Sequence, residues 1–180
     1  MKKFFYLLSA VVALAACKEV VKGSNGVTYK TAVQYNDYIV SRQTILMKNI
    51  VAFGEMAQNN MDSAGYMLAA YVKETMSYIN EIKGMPPYKG DSSLRHAAVN
   101  TFTFYKKVFE NDYRQIIEIN KSGEGATEKG SAKLNNIVAD LTEEEGQLDK
   151  SFHNAQKFFA EINNMKLVEN SMQKKVDNLK

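Results

Sequence analysis

Two histidines, one cysteine, twenty acidic side chains and ten tyrosines are the groups with which this 180-residue chain could do chemistry. A di-metal carboxylate bundle needs two Glu-x-x-His motifs that face each other. Ser93 and Lys150 stand three residues before His96 and His153, so the motif is missing at both. Covalent haem needs Cys-x-x-Cys-His, which is absent, and the methionines read as gap-fillers of a helical core. A single cysteine excludes a disulfide framework and a multi-thiolate metal site. There is no Gly-x-Ser-x-Gly elbow and no phosphate-cradling glycine loop; Gly123-Glu124-Gly125 is acidic and follows no strand pattern. Glycoside hydrolysis uses two carboxylates about 5 to 10 Å apart in a cleft, and the acids here are too many for a pair to be singled out. Glu143-Glu144-Glu145 reads as the solvated first turn of a helix, where negative charge is favourable. These patterns give no catalytic residue, no metal site and no cofactor, and the expectation is a protein that is not an enzyme. The rival expectation is an envelope hydrolase whose carboxylate pair the sequence does not reveal.

The tyrosines are the most suggestive group. Tyr35, Tyr38, Tyr71, Tyr78 and Tyr105, with Arg42 and Asp112, fall on inner faces of helical patterns and are the candidate ligand-lining residues. Tyr113 and Asn49 lie on or beside the same faces. A buried tyrosine hydroxyl needs a hydrogen-bond partner, so such a set can form a polar core or line a small-ligand pocket between helices.

The elements that would position these residues follow from spacing. Beyond residue 26, apolar residues recur at steps of three and four, and alternating strand patterns are scarce. A first helix is expected from Thr28 to about Ala57, and a second from about Ser63 to Lys83 capped by Asp62. A third should start after Asp91 as N-cap and end near Lys121-Ser122-Gly123. A fourth should run from Ser131 to Asn178, with a weak point at Thr142–Gly146. The loop Gly84–Gly90 holds both prolines, and the glycine-rich loop Lys121–Gly130 should be exposed. Short connections favour antiparallel neighbours. The expected fold is therefore all-α: an up-down-up-down four-helix bundle with a long C-terminal helix. If that helix outgrows the others, its apolar seam would offer a face to a partner.

The amino terminus has a separate logic. Lys2 and Lys3 precede an uncharged run, FFYLLSAVVAL, and then the small residues Ala15 and Ala16. These are the parts of a secretory signal. The run Phe4 to Leu14 would span only ~16 Å as a helix, too short to cross a bilayer. Leu14-Ala15-Ala16-Cys17 resembles a bacterial lipobox. The resemblance implies diacylglycerol on the Cys17 thiol, cleavage before Cys17, and further acylation, such as palmitate, of the new terminus. It divides the chain into a signal peptide (1–16), a lipidated tether (17–26) and a bundle domain (27–180). Lys18 stands where an aspartate would hold such a lipoprotein in the inner membrane, so the outer membrane is expected. Two units of the formal charge of +3 belong to Lys2 and Lys3, so no nucleic-acid affinity is inferred. A 45% hydrophobic content with 24% charged residues fits a folded domain.

Tyr35-Asn36-Asp37-Tyr38-Ile39-Val40 is similar to a stretch found in a group of bacterial surface lipoproteins that carries no assigned activity. So are Gly90-Asp91-Ser92-Ser93-Leu94-Arg95-His96-Ala97-Ala98 and Phe104-Tyr105-Lys106-Lys107-Val108-Phe109. The similarity extends over most of the mature chain and implies lipidation and a helical-bundle fold. The functional expectation is a membrane-tethered lipoprotein that binds an envelope protein, an envelope component or a small ligand. A small-ligand carrier with a tyrosine-lined interior is a further alternative.

Overall fold

The computed structural model describes residues 8–11 and 20–169. Three short strands come first: β1 (Leu8–Val11), β2 (Val21–Lys22) and β3 (Thr28–Tyr29). Helices follow: α1 (Ala32–Asn59), α2 (Met61–Lys83) and α3 (Ser93–Lys107). A π-helical turn (Val108–Asp112) joins α3 to α4 (Tyr113–Lys121), and a 3-10 turn (Glu124–Ala126) leads into α5 (Glu128–Ile162) and β4 (Lys166–Glu169). The described chain is mostly helical, as the spacing predicts. The lipobox Leu14–Cys17, the start of the tether and the segment after residue 169 lie outside the described residues.

Local chemistry explains where the helix ends depart from expectation. α1 begins at Ala32, not Thr28, because Thr28 and Tyr29 pair with Lys22 and Val21 in an antiparallel hairpin. The Thr31 hydroxyl then accepts from the Gln34 amide at 3.1 Å as N-cap. Asn60, not Asp62, caps α2, its side-chain oxygen accepting from the Ser63 amide at 3.0 Å. Asp62 sits in the first turn, where it favours the helix dipole. Asp91 takes the Ser93 amide at 3.2 Å and its hydroxyl at 2.8 Å, while the N-cap position itself is Ser92. α5 begins at Glu128, three residues before the expected Ser131, because Thr127 accepts from the Gly130 amide at 3.0 Å as N-cap.

The largest correction is at the other end of α5. The expected helix to Asn178 stops at Ile162. Asn163 turns back to the Phe159 carbonyl at 2.9 Å, and Asn164 takes a left-handed conformation with φ of 52°. Asparagine tolerates that conformation and terminates helices by it. α5 is unbroken through Thr142–Gly146. At 35 residues α5 is shorter than expected but still exceeds α1, the next longest helix among the described residues at 28.

The third expected helix is divided by the π-helical turn, a feature that one inserted residue produces and that recurs at functional sites. It lets Phe109 and Tyr113 both reach the interior. Tyr113 stacks on Phe53 with centroids 4.4 Å apart, and Phe109 meets Tyr71 at 5.4 Å. The core is filled by Ile39, Leu46, Leu68, Ile82, Leu94, Phe102, Phe109 and Phe159. Inside it the Gln156 amide donates to the Asn36 side-chain oxygen at 2.7 Å, which fixes α5 against α1.

Much of the expected tether is folded. The β2–β3 hairpin docks on the C-terminal end of α2. Asn25 donates through its side chain to the Tyr29 hydroxyl at 2.7 Å and the Glu81 carbonyl at 3.0 Å. The fit depends on Gly84: a Cβ there would lie 2.9 Å from the Asn25 amide nitrogen, a contact with backbone that cannot give. Gly84→Ala is expected to lower stability by about 1–3 kcal/mol through this overpacking. Hydrogen exchange should accelerate at the Gly23 amide, which donates to the Val27 carbonyl. Unchanged exchange there would contradict the docking.

β1 pairs antiparallel with β4, Leu8 opposite Glu169 and Val11 opposite Lys166. It lies within the stretch read from sequence as the signal run.

Candidate functional site

The tyrosine set is held in two polar clusters on different helix seams, while Tyr35 and Tyr71 enter aromatic packing. The first cluster lies on α1 and α2. Its members repeat at helical spacing, Tyr38 with Arg42 on α1 and Glu74 with Tyr78 and Ser77 with Glu81 on α2, so each pair shares a face. Glu81 is the hub. It accepts from Arg42 Nε at 2.7 Å, from Arg42 Nη2 at 2.5 Å and from the Tyr38 hydroxyl at 3.0 Å. The Ser77 hydroxyl donates to its other oxygen at 3.2 Å. The Arg42 guanidinium carbon sits 3.4 Å from the Tyr38 ring centroid and 5.8 Å from that of Tyr78, a cation–π placement. Further along, Glu74 accepts from Asn49 at 2.5 Å and from the Tyr78 hydroxyl at 2.9 Å.

These contacts set the protonation states. Burial would raise the Glu81 carboxyl, but hydrogen bonds from Arg42, Tyr38 and Ser77 outweigh it and hold the group below its usual range. Burial, and then hydrogen bonding to carboxylates, pushes Tyr38 and Tyr78 up to about 12. Both stay protonated donors at any physiological pH.

The second cluster lies where α3, the π-helical turn and α4 meet α5. The Tyr105 hydroxyl donates to Glu145 at 2.7 Å, and the Lys107 ammonium donates to Glu144 at 2.6 Å. Burial first, and then the charge of Glu145 one turn away, pushes the Asp149 carboxyl up to about 8. Burial likewise raises Tyr105, Tyr113 and Asp112, and it lowers His153. One Asp112 oxygen is buried without a hydrogen bond among the described residues.

Tyr35 donates to the Pro86 carbonyl at 2.8 Å and stacks on Phe159 at 5.4 Å. Tyr71 packs on Phe109. Of the seven candidate ligand-lining residues, the structure therefore unites Tyr38, Arg42 and Tyr78. It places Tyr105 and Asp112 in the second cluster, and Tyr35 and Tyr71 in aromatic packing. Sequence reasoning missed Tyr29, Glu81, Glu74 and Asp149. Tyr29 edges onto both Tyr35 and Tyr38, at 5.2 and 5.4 Å. The i,i+4 pairing of Glu74 with Tyr78 is a signal that could have found that acid, whereas Glu145, expected in a solvated first turn, lies within α5 and takes the Tyr105 hydroxyl.

Shallow grooves flank the bundle. One of about 410 Å³ runs along Val27–Lys30, Gln34, Asp37 and Tyr38. Another, of about 460 Å³, lies between α2 and α4 over Gly65, Leu68 and Ile117, with Arg114, Glu118 and Lys121 around it. Tyr66 beside it is 84% exposed.

Asp149 gives a pH prediction. Its folded pKa lies above the unfolded value near 3.8, so the folded state holds a proton that the unfolded state has released. Stability from this group is complete below that value and is lost as pH rises through about 8. The slope is at most about 1.4 kcal/mol per pH unit. Urea unfolding at several pH values should show Asp149→Asn gaining on the natural protein as pH rises from ~5 to ~8. A pH-independent difference would contradict the assignment.

Residues 1–17 match the family model described as the prokaryotic membrane lipoprotein lipid attachment site. The match ends on Cys17, the chain's single cysteine, and it supports a lipid-anchored bacterial lipoprotein of the cell envelope. No curated protein and no solved structure matches the chain.

Proposed function

We propose that this lipid-anchored chain is an outer-membrane lipoprotein whose helical body binds a protein, an envelope component or a small ligand, and turns over no substrate. The observation that carries the anchoring is the attachment site ending on Cys17. Signal cleavage before Cys17 takes β1 away, and the mature body begins at the docked hairpin. Its helices alternate in direction. Contacts Tyr38–Glu81 and Asn49–Glu74 support this for α1 and α2, and Tyr78–Phe102 and Tyr71–Phe109 for α2 and α3 with its following π-helical turn.

A binding role is supported by how the polar clusters are used. Arg42, Glu81, Tyr38, Glu74, Tyr78 and Asn49 satisfy one another, which suits a framework better than a reaction centre. The groove over Gly65, with Tyr66 at its side, lies at the opposite end of α2 from the hairpin and so faces away from the anchor. An exposed tyrosine beside an apolar floor is the composition of a protein contact. A photo-crosslinker in place of Tyr66 in cells, followed by capture from membranes, tests this. A reproducible adduct supports the reading, and recovery of no reproducible partner argues against it.

The hydrolase alternative rests on one observation, the proton-retaining Asp149 beside Glu145. It requires a loss of hydrolytic activity in both Asp149→Asn and Glu145→Gln.

A further inference from the structure

The bundle end that carries the docked hairpin gathers several exposed lysines; others without an ion pair, Lys48, Lys73, Lys129 and Lys150, are spread along the rest of the described molecule. Lys22, Lys30, Lys83 and Lys89 are all exposed there, and no ion pair among the described residues holds any of them. The lysines that are paired lie at mid-height or at the far end: Lys106 with Glu110, Lys107 with Glu144, Lys121 with Asp62 and Lys133 with Glu124. The hairpin brings Lys22 and Lys30 to the α2 terminus, where Lys83 is the last helical residue. Lys89 sits in the following turn with φ of 49°, next to Gly90 at 80°, a tight turn closed by Tyr88 and Asp91 pairing with each other. Arg95 is held to the Met85 carbonyl and the Ser92 hydroxyl at the same end, so its charge is fixed in place. Apolar side chains are exposed here as well, Val20 at 58% and Ile162 at 42%. Asp37 and Glu161 are the exposed acids nearby.

The distance to the membrane makes this arrangement consequential. β2 begins at Val21, so three residues separate it from Cys17. Three residues reach ~10 Å at full extension, about one Debye length at physiological salt. Lysines on the hairpin end are thus held inside the field of the leaflet into which the acyl chains insert.

We infer that this end of the bundle is a second, non-covalent membrane contact, in which Lys22, Lys30, Lys83 and Lys89 meet anionic phospholipid headgroups and Val20 and Ile162 enter the interface. The inference rests on the lipid-anchor reading and adds an orientation to it: the helices stand on the leaflet by the hairpin end, with the Gly65 groove turned away. Unpaired lysines close to an anionic surface gain from its potential, and exposed apolar side chains gain from interfacial burial.

The test uses the mature lipidated protein, purified from membranes and reconstituted in two vesicle preparations. One is pure phosphatidylcholine and the other contains phosphatidylglycerol at about three in ten, enough to give the negative surface potential on which the inference depends. A membrane-impermeant acetylating reagent then labels lysines, read residue by residue by mass spectrometry. The inference expects labelling of Lys22, Lys30, Lys83 and Lys89 to slow about fivefold in the anionic vesicles, the enrichment such a surface gives each lysine. Lys129, at the far end, should label equally in both. The protection should vanish at ~0.5 M salt, where the Debye length is shorter than the tether. Equal labelling of the four lysines in the two vesicles overturns the inference and leaves the anchor intact. The mass of the Cys17 peptide is read on the same sample, and an unacylated cysteine overturns the anchor and the orientation together.

Discussion

Cys17→Ala is expected to abolish acylation and release the protein from membranes. The alternatives to a lipid anchor are weak. Among the described residues no helix is long and apolar enough to cross a membrane. An uncleaved signal run of ~16 Å reaches across about half of a bilayer core. Each buried methylene of an acyl chain contributes about 0.8 kcal/mol, and two or three chains give near-permanent attachment. Four lysines at a surface add about 1 kcal/mol each, and salt screens them. They orient the body but cannot replace the lipid. Fractionation of cells expressing the variant measures this directly. A variant found wholly in the membrane pellet after a salt wash contradicts the lipoprotein account.

Phe159→Ala should cost about 3–5 kcal/mol of folding stability, a large part of the ~5–15 kcal/mol that a domain has. The ring is 1% exposed. It stacks on Tyr35 at 5.4 Å and meets Tyr88 edge-on at 5.6 Å. Tyr35 in turn packs on Tyr29 of the hairpin, so the cavity would open under α5, α1 and the membrane-side loops at once. The neighbouring Phe158 is 48% exposed and provides the contrast. Phe158→Ala should cost under about 1 kcal/mol, as surface changes do. Urea unfolding of the two variants decides, and equal losses would refute the placement of α5.

The interior was legible where one face of a helix alternates cleanly at three and four. Leu68, Ile79 and Ile82 on α2, and Phe102, Tyr105 and Phe109 after it, are buried as their spacing implies. Misjudged boundaries have particular causes. Val27-Thr28-Tyr29 continues the pattern of α1 in spacing, yet Asn25 and Gly26 make a turn, and two residues on each side pair as a hairpin. Apolar residues after Ile162 keep the period of α5, but Asn163 and Asn164 end it by local hydrogen bonding and a left-handed turn, a signal carried by residue type and not by period. The candidate site was legible in kind but not in grouping. Tyrosines facing inward find hydrogen-bond partners, as buried hydroxyls must, but whether the partner is an acid, as for Tyr38, Tyr78 and Tyr105, or a backbone carbonyl, as for Tyr35, depends on helix registers. Tyr105 reaches Glu145 across forty positions, and Tyr38 reaches Glu81 across forty-three. No pattern within one segment encodes such a pairing.

The central claim, that this bundle is held to the envelope by a lipid on its single cysteine, is tested most directly by the mass of its amino-terminal peptide after extraction from membranes. The account predicts a peptide that begins at Cys17 and carries diacylglycerol on the thiol. A peptide that begins at another residue, or a Cys17 with a free thiol, would contradict it.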